Sequence, residues 1–172
     1  PAALKVVEQA RRYEKMYAAV GVHPEDLVSD GIGYIEQIEK IRALVKNREE
    51  NKIVAIGEIG LDYYWRQDNK AEQMDCFERQ LSLAEELSMP VIIHDREAHG
   101  DCFEAVLRHP NVKGVFHSYS GSAEMAIELI KLKLQDKNVP FEGIKLNTCK
   151  NGDIIRLGNS FSAEFIRVNN SI

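Results

Sequence analysis

Ile53-Val-Ala-Ile-Gly-Glu-Ile-Gly-Leu-Asp-Tyr-Tyr64 opens as an unbroken apolar run and then turns polar. A short continuous run such as Ile53 to Gly57, without alternation, reads as a strand buried on both faces, the habit of a parallel sheet. A carboxylate, Glu58, stands immediately at its end. The same arrangement recurs outward in both directions. Upstream, Tyr17-Ala-Ala-Val-Gly-Val22 ends in His23-Pro24. Downstream, Val91-Ile-Ile93 ends in His94-Asp95-Arg96, and Gly114-Val-Phe116 ends in His117-Ser118-Tyr119-Ser120-Gly121. Each apolar run therefore delivers an ionisable or metal-binding side chain at its carboxyl end.

Between these runs the apolar period changes to that of helices. Leu4, Val7 and Tyr13 predict a first helix ending near Met16. Val28, Ile32, Ile35, Ile38, Ile41 and Val45 predict one long amphipathic helix. Met74, Phe77, Leu81 and Ala84 predict another that stops before Pro90. Phe103, Val106 and Leu107 mark a short helix, and Met125, Ala126, Leu129 and Ile130 a further one. Helices alternating with short buried strands predict an α/β fold, a parallel sheet covered by helices. In such a sheet, or in a barrel made from it, all strand carboxyl ends lie on one face, so residues distant in sequence converge there. After about Leu132 the pattern fails, and only Asp153-Ile-Ile-Arg-Leu157 suggests one more strand.

The convergent residues predict chemistry. Glu58, His94 and His117 together offer one carboxylate and two imidazoles, which suit Zn²⁺, Mn²⁺ or Fe²⁺ and leave coordination positions open for water and substrate. An open position is what a hydrolytic metal needs, because the ion lowers the pKa of bound water and polarises a phosphoryl or carbonyl oxygen. Arg96 follows His94 by two residues, so on a strand it shares that face, where a guanidinium can clamp a phosphate; a structural ion pair is the competing reading. Tyr63, Tyr64 and Trp65 read either as a stack for a base or sugar or as loop packing over the sheet. His99 and His109 are expected to be exposed and to bind nothing. Ser120-Gly121 is only half of a nucleophile elbow, since Ser118 stands where its leading glycine belongs.

Composition excludes several classes. The chain has 172 residues, enough for one domain with a real core, and 44% hydrophobic with 28% charged residues is ordinary for a globular protein. Its net charge of −5 argues against a nucleic-acid coat or a membrane-surface protein, though not against an enzyme whose metal supplies local positive charge. Cys76, Cys102 and Cys149 form no C-x-x-C pair and are expected to be reduced thiols of a cytoplasmic protein. No apolar run approaches a membrane span. No Gly-x-Gly-x-x-Gly or phosphate-binding P-loop follows a strand, which lowers the odds of a nucleotide-binding doubly wound fold.

With these stretches on the page, the sequence resembles the TatD family of metal-dependent deoxyribonucleases, within the amidohydrolase-like TIM barrels. The matching segments are Ala18 to Pro24, Ala55 to Tyr64, Gln73 to Leu87, Met89 to Arg96 and Phe116 to Gly121. The resemblance implies a partial (β/α) TIM-type barrel of parallel strands with helices outside, over residues 1–132. Residues 133–172 are expected to be a divergent tail. It implies cleavage of phosphodiester bonds by metal-activated water, with Glu58, His94 and His117 as ligands of a divalent ion (Zn²⁺, Mn²⁺ or Mg²⁺); no catalytic residue is assigned beyond them. His23 and Arg96 are implied on the substrate side, near the phosphate. DNA or another phosphodiester is the expected transient partner, without a membrane or a stable protein partner.

Two family motifs are absent. There is no His-x-His, and no Glu-Thr-Asp-x-Pro. The chain thus reads as a fragment lacking the first and the late strands, with its neighbouring metal position incomplete, its activity impaired and its open sheet edges prone to self-association. The rival expectations are a related barrel hydrolase acting on a small ester, lactone or amide, and a non-catalytic fragment.

Overall fold

The computed structural model describes residues 2–129 in full, and the backbone of 130–133 and 153–157. The elements follow in the order α1 (Ala2–Arg12), β1 (Ala18–Val20), β2 (Val28–Ser29), β3 (Ile32–Gly33), α2 (Tyr34–Val45), α3 (Arg48–Asn51), β4 (Ile53–Asp62), α4 (Lys70–Leu87), β5 (Val91–Arg96), α5 (His99–Arg108), β6 (Gly114–Tyr119), α6 (Ala123–Lys133) and β7 (Asp153–Leu157). The main sheet runs β1-β4-β5-β6-β7. Its first four strands are parallel, each paired with the next. Helices α2, α4 and α5 carry the chain from the end of one strand to the start of its neighbour. This is the expected α/β arrangement, part of a (β/α) barrel. Strand β7 forms where the sequence suggested one, but it pairs antiparallel to β6, so it is not a further βα repeat. The rest of the expected tail, 134–152 and 158–172, lies outside the described residues.

The sheet has two unlike faces. On β5, Val91, Ile93 and Asp95 are buried, while Ile92 and His94 are half-buried and Arg96 is exposed. This is the period of two expected of a strand. The buried face meets the helices: Ile56, Ile59, Leu61 and Ile93 pack with Phe77 and Leu81 of α4, all six at 0% exposure. Helix α2 buries Ile38, Ile41 and Val45. Helix α4 ends where Ser88 turns left-handed (φ 51°) and its N–H returns to Glu85 O, just before Met89-Pro90.

Three expectations about boundaries need correction. The long helix from Val28 begins only at Tyr34. Val28–Ser29 and Ile32–Gly33 instead pair antiparallel around Asp30-Gly31, whose φ values of 51° and 76° make the mirror-image turn that suits a two-residue hairpin. The first helix ends at Arg12 rather than near Met16. Strand β4 does not stop at Gly57 but runs on to Asp62, because β5 supplies partners all along it: Gly60 to His94, Leu61 to Asp95, Asp62 to Arg96.

Candidate metal centre

The open face of the sheet gathers the polar residues, and a bulge aims the first of them. Gly57 pairs with Ile92 and Ile59 with Ile93, so Glu58 is the extra residue on β4. A bulge bends its strand and redirects the side chain it releases. Glu58 thereby reaches His94 of β5 and His117 of β6, which are direct neighbours across the sheet. Glu58 Oε1 lies 3.6 Å from His94 Nδ1 and 3.9 Å from His117 Nε2. Gly60 keeps the strands this close. Its φ is +139°, and a Cβ there would sit 2.0 Å from the His94 carbonyl oxygen, so no other residue fits.

His23, from the loop after β1, completes the group. Its ring lies 4.5 Å from the His94 ring, centroid to centroid. Single ligand atoms of His23, Glu58 and His94 all fall within 4.8 Å of one another. His117 stands on the rim of this trio, half-exposed, with Nε2 3.1 Å from the Ser118 hydroxyl.

Asp62 organises the centre from beneath. Its Oδ2 lies 2.9 Å from His94 Nε2 and its Oδ1 accepts the backbone N–H groups of Tyr64 (3.0 Å) and Trp65 (3.2 Å). A carboxylate that accepts the Nε2–H hydrogen bond fixes the tautomer in which Nδ1, the nitrogen facing Glu58, can serve a metal ion. Two buried glutamines on α4, two turns apart, fix the strand ends in turn. Gln73 accepts from the Asp62 N–H (2.8 Å) and donates to the Asp62 carbonyl (3.0 Å). Gln80 does the same for Val22, beside His23 (2.7 and 3.0 Å).

The electrostatics follow from these contacts. Burial pulls the His94 pKa down, but Glu58 and Asp62 outweigh it and leave it above the ordinary histidine value. The His94 ring holds Glu58 below the usual carboxylate range against the opposing pull of burial. At 3.6 Å that contact is a charge interaction rather than a full hydrogen bond. Burial also opposes ionisation of Asp62, yet His94 and the two backbone N–H groups keep its pKa low. His23 moves the other way: burial, then the neighbouring His94, lower its pKa and favour the neutral ring that can donate a lone pair.

Glu58 Oε1 is buried and has no hydrogen-bond partner. Such an oxygen is costly unless a cation meets it. One carboxylate oxygen ringed by imidazole nitrogens fits a divalent ion of the Zn²⁺ or Mn²⁺ kind.

The structure thus gathers Glu58 and His94, two of the three residues the sequence singled out as ligands, with His23, their ligand atoms within 4.8 Å of one another; the third, His117, stands on the rim, 3.9 Å from Glu58 Oε1. Arg96 sits at the rim, its guanidinium carbon 3.9 Å from the Tyr64 ring centroid, and makes no ion pair among the described residues. The expectation that His99 and His109 are exposed is corrected. His109 is buried between Glu78 (2.7 Å) and Glu85 (2.9 Å), and His99 Nδ1 is 2.7 Å from the buried Asp95. Asp62, Gln73 and Gln80 carry site functions that sequence reasoning missed. The available signal was a pair of glutamines at helical spacing inside an apolar stripe, where a polar side chain must have a partner. Cys76 and Cys102 are buried free thiols, and Cys149 lies outside the described residues. No described helix is long and apolar enough to cross a membrane.

Comparison with known proteins shows which family the chain falls in. The sequence profile of the TatD related DNases matches residues 2–136. The metal-dependent hydrolase YabD of Bacillus subtilis, whose function is uncharacterised, is 37% identical over 136 residues, covering 77% of this chain and 50% of its own. The 3′-5′ ssDNA/RNA exonuclease TatD of Cronobacter sakazakii is 39% identical over 124 residues, 69% of this chain and 44% of its own. The crystal structure of YjjV, a TatD homologue from Escherichia coli, superposes with a TM-score of 0.61 at 33% identity, over 75% of this chain and 49% of its own. The chain spans about half the length of these relatives. With the profile matching most of its residues, the chain belongs to the family of TatD related DNases.

Proposed function

We propose that this chain carries the metal centre of a hydrolase that cleaves phosphodiester bonds, with Glu58, His94 and His117 holding a divalent ion. The observation that carries this reading is the orphaned, buried Glu58 Oε1 set among imidazole nitrogens at the carboxyl rim of the sheet. A divalent cation held there would polarise a phosphoryl oxygen and make water a better nucleophile.

The chain's own residues do the rest. Asp62 fixes the His94 ring so that Nδ1 faces Glu58. Gln80 holds the strand end that presents His23. His23, kept neutral by its surroundings, faces the reacting phosphate. Arg96, two residues beyond His94 along β5, meets the phosphate charge from the rim. The name of the Cronobacter relative supports a phosphodiester over a lactone or amide. We assign residues 1–132 to the partial barrel and 133–172 to a separate tail, a division that the antiparallel β7 supports.

The test is hydrolysis by the chain with Mn²⁺ of bis(p-nitrophenyl) phosphate, set against a panel of lactones and amides. Weak turnover of the phosphodiester, lost in Glu58→Ala, is expected, because the neighbouring metal position is incomplete. Turnover of a lactone or amide in its place would transfer the site to the other class of barrel hydrolase.

A further inference from the structure

Beside the metal centre lies a feature that neither packing nor the metal explains. Tyr64 and Trp65, in the turn after β4, are 48% and 61% exposed. Their rings meet edge to face, with centroids 4.7 Å apart. The Arg96 guanidinium lies 3.9 Å from the Tyr64 centroid and 5.3 Å from that of Trp65. Tyr63, the neighbouring aromatic residue, already does the packing: it is buried, its hydroxyl donates to Asp101 (2.7 Å), and Lys70 covers its ring. Exposed aromatics next to it are not needed to close the loop.

The same carboxylate that orients His94 also holds this turn. Asp62 Oδ1 accepts the N–H groups of both Tyr64 and Trp65 while Oδ2 meets His94. The aromatic pair is therefore fixed relative to the metal centre through one buried side chain. Arg96 shares the strand face of His94 and has no carboxylate partner among the described residues, so its charge remains available to an anion.

We propose that Tyr64, Trp65 and Arg96 form a subsite that stacks a nucleobase and meets its adjoining phosphate, beside the centre where the phosphodiester is cleaved. This rests on the phosphodiesterase reading above and adds to it the side chains that hold a base beside the scissile phosphate.

Trp65 is the only tryptophan in the chain, so its fluorescence reports on the subsite directly. The chain is titrated in EDTA with a short oligothymidylate and with an abasic oligodeoxynucleotide of the same length. The first should quench Trp65 saturably. The second carries the same phosphates, and should quench little and bind at least about fivefold more weakly, the low end of one aromatic–base stack. By anisotropy of labelled oligothymidylate, Trp65→Ala should show the same loss, Trp65→Phe should retain most of the affinity, and Arg96→Ala should weaken both ligands. Equal binding of the two ligands, or parental affinity in Trp65→Ala, overturns the subsite. The chelator separates this from the metal reading. Quenching with no Mn²⁺ binding in a parallel titration supports the subsite and removes the metal centre. Mn²⁺ binding with no quenching does the reverse.

Discussion

The two faces of strands β4 and β5 have opposite characters. Toward the helices stand Ile59, Leu61 and Ile93, fully buried and apolar. Toward the open side stand Glu58, His94 and Arg96, with a bulge, a glycine that nothing can replace, and a buried oxygen without a partner. Alternation along a strand puts these faces a single residue apart. Stability therefore resides on one side of a backbone whose other side is free to carry costly groups. Substitutions should sort by face, and each prediction below tests that division.

The largest effect belongs to the helix face. Phe77→Ala removes a fully buried ring and should cost about 3–5 kcal/mol in urea unfolding. A loss below about 1 kcal/mol would mean that the core relaxes and the division is weak. Next comes the link between the faces. Gln73→Leu orphans both backbone groups of Asp62 and should cost about 1–3 kcal/mol for each. It should also weaken metal binding, because Asp62 holds His94. Metal affinity unchanged at reduced stability would show that the two faces are uncoupled. Asp62→Asn tests the orienting carboxylate alone, and affinity for Mn²⁺ should fall about 10–100-fold. A smaller drop would make Asp62 a turn-holder only.

The mildest probe reads the closed face by chemistry. Burial pushes the Cys76 thiol up to about 12, and raises Cys102 well above its ordinary value too. A raised thiol pKa means almost no thiolate near pH 8, so iodoacetamide should leave both unmodified until urea unfolds the chain. Rapid labelling of either residue in the folded chain, followed by peptide mapping, would show that the helix face opens readily.

Much of this was legible in the sequence for a simple reason. A strand buried in a parallel sheet must be apolar along its length, so the polar residue that ends it stands out, and Glu58, His94 and His117 did. What escaped depends on neighbours that sequence does not display. The bulge at Glu58 is a property of the β4–β5 register. Asp62 acquires its role only when β5 places His94 beside it, and the extent of β4 to Asp62 follows from the same pairing. His109 looked exposed because Glu78 and Glu85, which hold it, lie on another helix. The hairpin at Asp30-Gly31 was different, since its turn signal was visible. The helical spacing of Val28, Ile32 and Ile35 runs straight across it, although Val28 and Ile35 prove to be 70% and 55% exposed. The antiparallel pairing of β7 has no local signature at all.

The central claim is that the open face holds a divalent ion through Glu58 without depending on Glu58 for its fold. Calorimetry with Mn²⁺ and Zn²⁺ on the parent chain, Glu58→Ala and His94→Ala, paired with urea unfolding of Glu58→Ala, tests it most directly. The account predicts saturable binding near one equivalent in the parent and none in either variant. The Glu58→Ala unfolding free energy should stay within about 0.5 kcal/mol of the parent, since the lost oxygen made no hydrogen bond. Binding that survives in Glu58→Ala, or a parent that binds no metal, would contradict it.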